Sequence, residues 1–246
     1  VAAGADETKD YPWRPAPPTA VRVEDGFWSP RLETNRVVTV WYDFKRCEET
    51  GRIDNFAKAA GLMKGEFRGI PFDDSDVFKV IEGASLTLAM HPDSKLDKYL
   101  DDLIAMIAGA QEPDGYLYTA RRLFPPDKMP GMSGRARWVN EHSSHELYNV
   151  GHLYEAAWAH FQATGKRSLL DVALKNADLI SKEFVPGGQQ YPPGHQEIEI
   201  GLVKLYRVTG DEKYLKTAGF LIDLRGRPET HRLYGEYAQD HRPVVE

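Results

Sequence analysis

The 246 residues hold one cysteine, Cys47. A lone thiol closes no intrachain disulfide and builds no cysteine cage around a metal. It lies in "WYDFKRCEETG", near the end of an apolar-periodic stretch, and reads as a buried structural thiol rather than a reactive one. Runs of Lys or Arg are missing and the net charge is −6, so neither nucleic acid nor an anionic membrane surface is an expected partner. No apolar stretch approaches the length of a membrane span. Strand-like alternation is scarce, confined to "AVRVEDGFW". There is no G-x-S-x-G elbow, no G-x-x-x-x-G-K-[ST] loop and no G-x-G-x-x-G fingerprint, and "GMSG" at 131–134 is too short to cradle a phosphate. The opening "VAAGADETKDYPWRPAPPT" carries neither an initiator Met nor an apolar signal core. It reads as a mature end after export, of periplasmic or secreted bacterial type, or as a chain boundary.

What is present is mostly helical periodicity. The pattern predicts helices over 31–49, 76–90, 95–109, 144–163, 167–183, 195–208 and 212–223, preceded by an extended segment over 1–30. Two segments repeat: "HLYEAAWAHFQATGKRSLLDVALKNADLI" aligns with "EIEIGLVKLYRVTGDEKYLKTAGFLIDL", bringing Thr164-Gly165 over Thr209-Gly210, with a weaker copy around "LAMHPDSKLDKYLDDLIAMI". Each unit is helix, tight turn, helix. Repeated helical hairpins make a solenoid or a closed toroid, so the expected fold class is an all-α toroid of helical hairpins. Gly165 and Gly210 suit the left-handed residue that ends a helix.

Connections within the hairpins are short ("HPDS", "ATGK", "VTGD"), whereas those between hairpins are long: Gln111 to Asn140, Phe184 to Gly194, and Arg225 onward. A repeated array places all long loops at one end, giving an elaborated mouth and a trimmed base. Four polar clusters fall at that mouth: "FDDSDVFK", "QEPDGYLYT", "EHSSHE" and "PGHQEIE". Each has a local reading. Ser143 and Glu146 form an S-x-x-E capping box; Asp73, Asp74 and Ser75 are good N-cap residues; Asp76, Glu197 and Glu199 suit the positive end of a helix dipole; Asp114-Gly115 signals a turn.

The histidines ask for more. His145, Asn149 and His152 share one side of a helical wheel, with Leu147, Val150, Tyr154, Ala157, Trp158 and Phe161 opposite. His195, Glu199, Leu202 and Tyr206 group likewise on the next inner helix. These polar stripes are expected to face a central cavity. As a metal site, H-x2-H-x6-H fits poorly, because His145 and His152 stand about 10 Å apart along the axis at 1.5 Å per residue. A neutral His145 at a helix start suits orienting a polyol.

In this order, "VEDGFWSPRLETNR", "DSDVFKVIEG", "QEPDGYLYT", "HELYNVGHLYEAA" and "GHQEIEIGLVKLYRVTGDEKYL" resemble glycoside hydrolase family 127, from about residue 20 onward. The resemblance implies an (α/α)6 barrel followed by β-sandwich domains. It implies β-L-arabinofuranosidase activity on an oligosaccharide, by a retaining mechanism with a zinc-bound cysteine nucleophile and a glutamate acid/base. The zinc is held by cysteines and a glutamate. This chain departs from that pattern. Cys47 does not stand where the nucleophile stands, and about three and a half of six hairpins are present. Residues 31–246 are therefore expected to form the N-terminal portion of the barrel, with nucleophile, acid/base and zinc cage beyond Glu246 and no metal held by this chain. The carry-over is sugar recognition by His145 and His195, with His142 contributing. Asp74, Asp76, Asp114 and Tyr116 are secondary candidates, and Glu197 and Glu199 are braces for His195.

Three alternatives stand beside this reading. Arg121, Arg122, Arg135 and Arg137 would suit a carboxylated pectic sugar. A chain without a nucleophile would act as a carbohydrate-binding or scaffold domain, its raw apolar seam driving homodimerisation. Another toroid sugar enzyme shares the hairpin architecture.

Overall fold

The computed structural model describes residues 16–245. Residues 1–15 of the expected extended segment lie outside the described residues. From Ala16 the chain is irregular apart from a 3-10 turn at Pro18–Ala20. The alternation in "AVRVEDGFW" forms no strand, and among the described residues the β-type pairing is a single bridge between Gly235 and Asp240. Asp25 accepts from the amides of Phe27, Trp28 and Ser29 and so starts the first helix at Trp28, ahead of the expected residue 31.

The helices run α1 Trp28–Thr34, α2 Val40–Glu49, α3 Arg52–Ala59, α4 Asp74–Met90, α5 Ser94–Ala110, α6 Thr119–Leu123, α7 Glu141–Ser144, α8 Glu146–Thr164, α9 Ser168–Glu183, α10 Ile198–Thr209 and α11 Glu212–Asp223. A π-helical turn, Asn35–Thr39, joins α1 to α2. None of the described helices is long and apolar enough to cross a membrane.

Four antiparallel pairs stand side by side: α2/α3, α4/α5, α8/α9 and α10/α11. Neighbour contacts run α2–α4–α8–α10 in one layer and α3–α5–α9–α11 in the other. The sequence pattern predicted about three and a half pairs because α3, only eight residues long, is too short to show a clear period. It completes the first pair through Gly51, whose φ of 83° reverses the chain directly after α2. The layers meet over the predicted apolar faces. Leu96, Leu100, Leu103, Ile104 and Ile107 of α5, Leu147, Val150, Leu153, Tyr154 and Ala157 of α8, and Ile198, Leu202 and Leu205 of α10 are all buried. Each large aliphatic chain so removed from water contributes about 1.5–3 kcal/mol.

The repeated turns are one device used twice. Gly165 (φ 70°) and Gly210 (φ 73°) close α8 and α10 in the left-handed conformation. Thr164 Oγ1 donates to the His160 carbonyl and accepts from the Lys166 amide; Thr209 does the same with Leu205 and Asp211. The unequal connections follow the expected division. Turns within pairs are a few residues long, whereas residues 60–73, 111–145, 184–197 and 224 onward link pairs or extend from the last one. The α8 and α10 backbones come unusually close. A Cβ at Gly151 would lie 2.7 Å from the Ile198 amide nitrogen, and one at Gly201 would lie 2.7 Å from the Tyr154 Cβ.

Candidate active site

All four long connections meet at one pocket of about 320 Å³, lined by Phe72, His142, His145, Gly194, His195 and Tyr237 among others. The three histidines named from sequence are therefore brought together. His145 and His195 have ring centroids 5.0 Å apart. Phe72 packs edge-on against His145 at 4.5 Å, and Tyr148 lies 5.5 Å from His195. Gly194 is needed here, since its Cβ would lie 2.8 Å from the His142 carbonyl oxygen.

His145 stands outside helical geometry, in the left-handed region (φ 55°, ψ 31°) between α7 and α8. A non-glycine residue held there costs of the order of 1 kcal/mol or more, offset by its surroundings. The capping box does not form, because α8 begins at Glu146 itself. The Glu146 carboxylate turns away from its own helix, accepting from Tyr116 Oη, from Arg121 Nη2 (3.0 Å) and from the Trp138 amide (3.1 Å). Trp138 is also at positive φ (62°). Arg121 reaches on to Tyr116 Oη and the Ser133 carbonyl, so one buried carboxylate ties three points of the long loop to the start of α8. Glu141, fully buried beside it, has its carboxyl pushed well up, first by burial and then by the Glu146 charge.

The secondary candidates serve this loop. Asp74 is buried and accepts from the Thr119 amide (2.7 Å) and hydroxyl, and burial raises its carboxyl to about 7. Asp114 accepts from the Tyr116 amide and pairs with Arg137. Tyr116 is 2% exposed. Asp76 pairs with Arg52 at 2.7 Å. These four groups hold connections in place and are not among the side chains lining the pocket. The braces differ too. Glu197 lies 3.1 Å from His152 Nδ1, and Glu199 pairs with Arg225 at 3.3 Å, so neither carboxylate contacts His195. The wheel stripes face the pocket only at their first residues, His145 and His195. Further along them, Asn149, Glu199 and Leu202 are buried. His195 precedes α10 rather than opening it.

Burial lowers the pKa of several histidines at this end of the molecule. Burial, then His195 and His142, lower His145 to about 4. Burial and Lys79 bring His152 to about 4, and burial with His142 lowers His195. At neutral pH His145 and His152 are uncharged, each offering one donor and one acceptor. His145 Nδ1 is buried without a partner. Behind the histidines the wall becomes ionic. Lys79 donates to Tyr148 Oη at 2.7 Å, Lys204 pairs with Glu155, and burial with Glu155 and Glu82 raises Glu197 to about 7.

Sequence reasoning missed Tyr148, Phe72 and Tyr237. Tyr148 was open to discovery, one turn after His145 and one before His152; the other two reach the pocket only through tertiary packing.

Three of the four loop arginines are committed elsewhere: Arg121 to Glu146, Arg137 to Glu112 and Asp114, and Arg122 to the Ala59 carbonyl. Cys47 is buried as expected, and burial, then Asp76, raises its thiol to about 11. A lone thiol in that state does not fit the cysteine-and-glutamate zinc set implied by the resemblance. Among the described residues, Asp97, Asp101 and His160 offer three ligand atoms within 4.8 Å of one another. That group sits at the short-turn end, and the Lys166 ammonium already lies 2.7 Å from both aspartates.

Residues 20–246 match the model of the β-L-arabinofuranosidase GH127 catalytic domain. The chain belongs to glycoside hydrolase family 127. It is 42% identical over 177 residues to the non-reducing end β-L-arabinofuranosidase of Bifidobacterium longum subsp. longum, a match covering 71% of this chain and 26% of that protein. A solved GH127 β-arabinofuranosidase superposes with a TM-score of 0.87 at 51% identity, over 94% of this chain and 36% of that one. The GH127 β-L-arabinofuranosidase of Geobacillus stearothermophilus T6 gives 0.81 at 38% identity, over 91% and 38%. The chain thus spans about a quarter of the curated relative and over a third of each solved one. The toroid of helical hairpins read from the repeats is the fold of these relatives.

Proposed function

We propose that this chain forms the sugar-holding wall of an enzyme that removes L-arabinofuranose from the non-reducing ends of plant glycans, working outside the cytoplasm. The observation that carries the reading is the convergence of His142 and His145, from the connection before α8, and His195, from the connection before α10, on one pocket. A neutral imidazole such as His145 binds a hydroxyl without attracting a counter-ion, through a ring nitrogen that donates or accepts. Phe72 offers an apolar surface beside these donors.

In this reading the wall binds and orients the sugar ring, and bond cleavage falls to groups outside these residues. Cys47 is no nucleophile, being buried in the core with a raised thiol pKa. A zinc-bound thiolate supplied by the rest of the enzyme is consistent with this division of labour. Glu197, half-buried and near 7, lies 3.1 Å from His152 Nδ1 on the inner wall.

The test uses a protein spanning the full length of these relatives, assayed on an aryl β-L-arabinofuranoside and a panel of plant-glycan oligosaccharides. Arabinose release from non-reducing ends is expected. His145→Ala should lower kcat/KM about tenfold or more, the cost of one lost hydrogen bond of about 1 kcal/mol with some loss of positioning. Glycan binding without arabinose release from any member of the panel would favour the carbohydrate-binding reading.

A further inference from the structure

Residues 225–240 form a strap that leaves α11 and returns over the pocket. Buried groups clamp both its ends. Arg225, 1% exposed, donates Nη1 to the Ala238 carbonyl at 2.8 Å and Nη2 to the Pro193 carbonyl at 3.2 Å. Asp240, fully buried, accepts from the Gly226 and Tyr234 amides at 2.7 Å each and meets His231 Nε2 at 2.9 Å. Gln196 ties the segment carrying His195 to the strap through the Ala238 carbonyl.

Between the clamps the strap presents two tyrosines to two pocket histidines. Tyr234 stacks on His142, with centroids 4.7 Å apart and planes at 29°. It is packed, and burial pushes its hydroxyl up to about 12. Tyr237 meets His195 edge to face at 5.7 Å and 76°, yet it is 82% exposed. Two residues on, Gln239 is at positive φ (53°), so the backbone turns sharply just after this ring. A large aromatic gains its stabilisation from burial or stacking. The Tyr237 ring lines the pocket beside His195, and its backbone is fastened through buried polar groups.

We propose that Tyr237 is a specificity-determining residue whose ring is the platform for the group attached to the arabinose. This inference rests on the functional reading above. With the terminal sugar seated against the histidines, whatever leads out of the pocket must cross its rim, and the Tyr237 ring is that rim beside His195. The face of an aryl group or the C–H face of the next sugar suits an aromatic surface, while the hydroxyls of the terminal sugar are left to the imidazoles. The clamps fix the backbone in advance, so a ligand bears less of the ordering cost of binding.

The test uses the full-span protein and two competitive inhibitors, phenyl and methyl 1-thio-β-L-arabinofuranoside, which share the sugar and differ in the attached group. Tyr237→Ala should weaken inhibition by the phenyl compound about five- to tenfold, the scale of one aromatic contact, and leave the methyl compound within twofold. Tyr237→Phe should keep the wild-type constants, since the ring and not the hydroxyl is at work. Melting temperatures should stay level across the three proteins. Equal changes for both inhibitors, no change for either, or a drop of several degrees in melting temperature would overturn the assignment and leave the functional reading standing. A wild-type protein that releases no arabinose removes both.

Discussion

The two ends of the helical array are built on opposite plans. At the short-turn end the reversals are solved locally: after α8 and α10 a threonine bonds back into its own helix, a glycine takes the left-handed conformation, and the next helix begins. The charges there are shared and half-exposed, as where Lys166 sits between Asp97 and Asp101. At the long-connection end almost nothing is local. Glu146 binds residues 116, 121 and 138, Asp74 binds residue 119, and Arg225 binds residues 193 and 238. The base is assembled from neighbours in sequence and the mouth from buried charges far apart in it. Strain collects at the mouth for the same reason: Trp138, His145 and Gln239, the non-glycine residues at positive φ among those described, all lie there.

Glu146→Ala should give the largest effect that separates the two ends. It leaves Arg121 and Tyr116 buried with unpaired groups, a loss of about 3–5 kcal/mol on the scale of broken buried ion pairs, read by denaturant unfolding. A loss under about 1 kcal/mol, the range of exposed pairs, would make the mouth no more dependent on buried charge than the base.

His145 gives an intermediate effect with a definite sign. Its folded pKa of about 4 lies below the ordinary value of about 6.5. Between those pH values the folded state binds fewer protons than the unfolded state. The stability contributed by neutral His145 is therefore present above about pH 6.5 and drains away as pH falls toward 4. Asp74 and Glu197, both raised to about 7, act in the opposite sense, stability falling as pH rises from about 4 to about 7. The difference between wild type and His145→Ala isolates the histidine. The variant should lose less stability on acidification, by about 1 kcal/mol per pH unit. Parallel curves of unfolding free energy against pH would show that His145 titrates normally.

Lys166→Met should give the smallest effect. Lys166 and its two aspartates are each at least a third exposed, so solvent screens them and the loss should be about 0.2–1 kcal/mol. Raising the salt concentration should shrink it further, whereas the Glu146→Ala loss should hardly respond.

The same contrast explains what could be read from sequence. The paired helices, the Thr-Gly turns and the gathering of long connections at one end were legible, because each is written in residues a few positions apart. His142, His145 and His195 were legible as a group because they fall where the repeat places the starts of inner helices. The capping box was misread because S-x-x-E is a local pattern, while Glu146 is claimed by partners in another loop. Asp74, Asp114 and Tyr116 looked like ligands for the same reason: polar groups at a mouth either meet substrate or hold the mouth together, and only packing tells which. Tyr237 carries no signal in sequence, since its place depends on a strap fastened by Arg225 and Asp240.

That strap has a consequence for the order in which the protein is made. A chain emerging from the ribosome presents His142, His145 and His195 well before residues 225–240. Until Arg225 and Asp240 have been synthesised, the segment carrying His195 lacks its bonds to Ala238 and the His142 ring lacks the Tyr234 stack. Helical pairs can form as each is completed, but the pocket must wait. The last residues of this stretch to be translated are the ones that set the first.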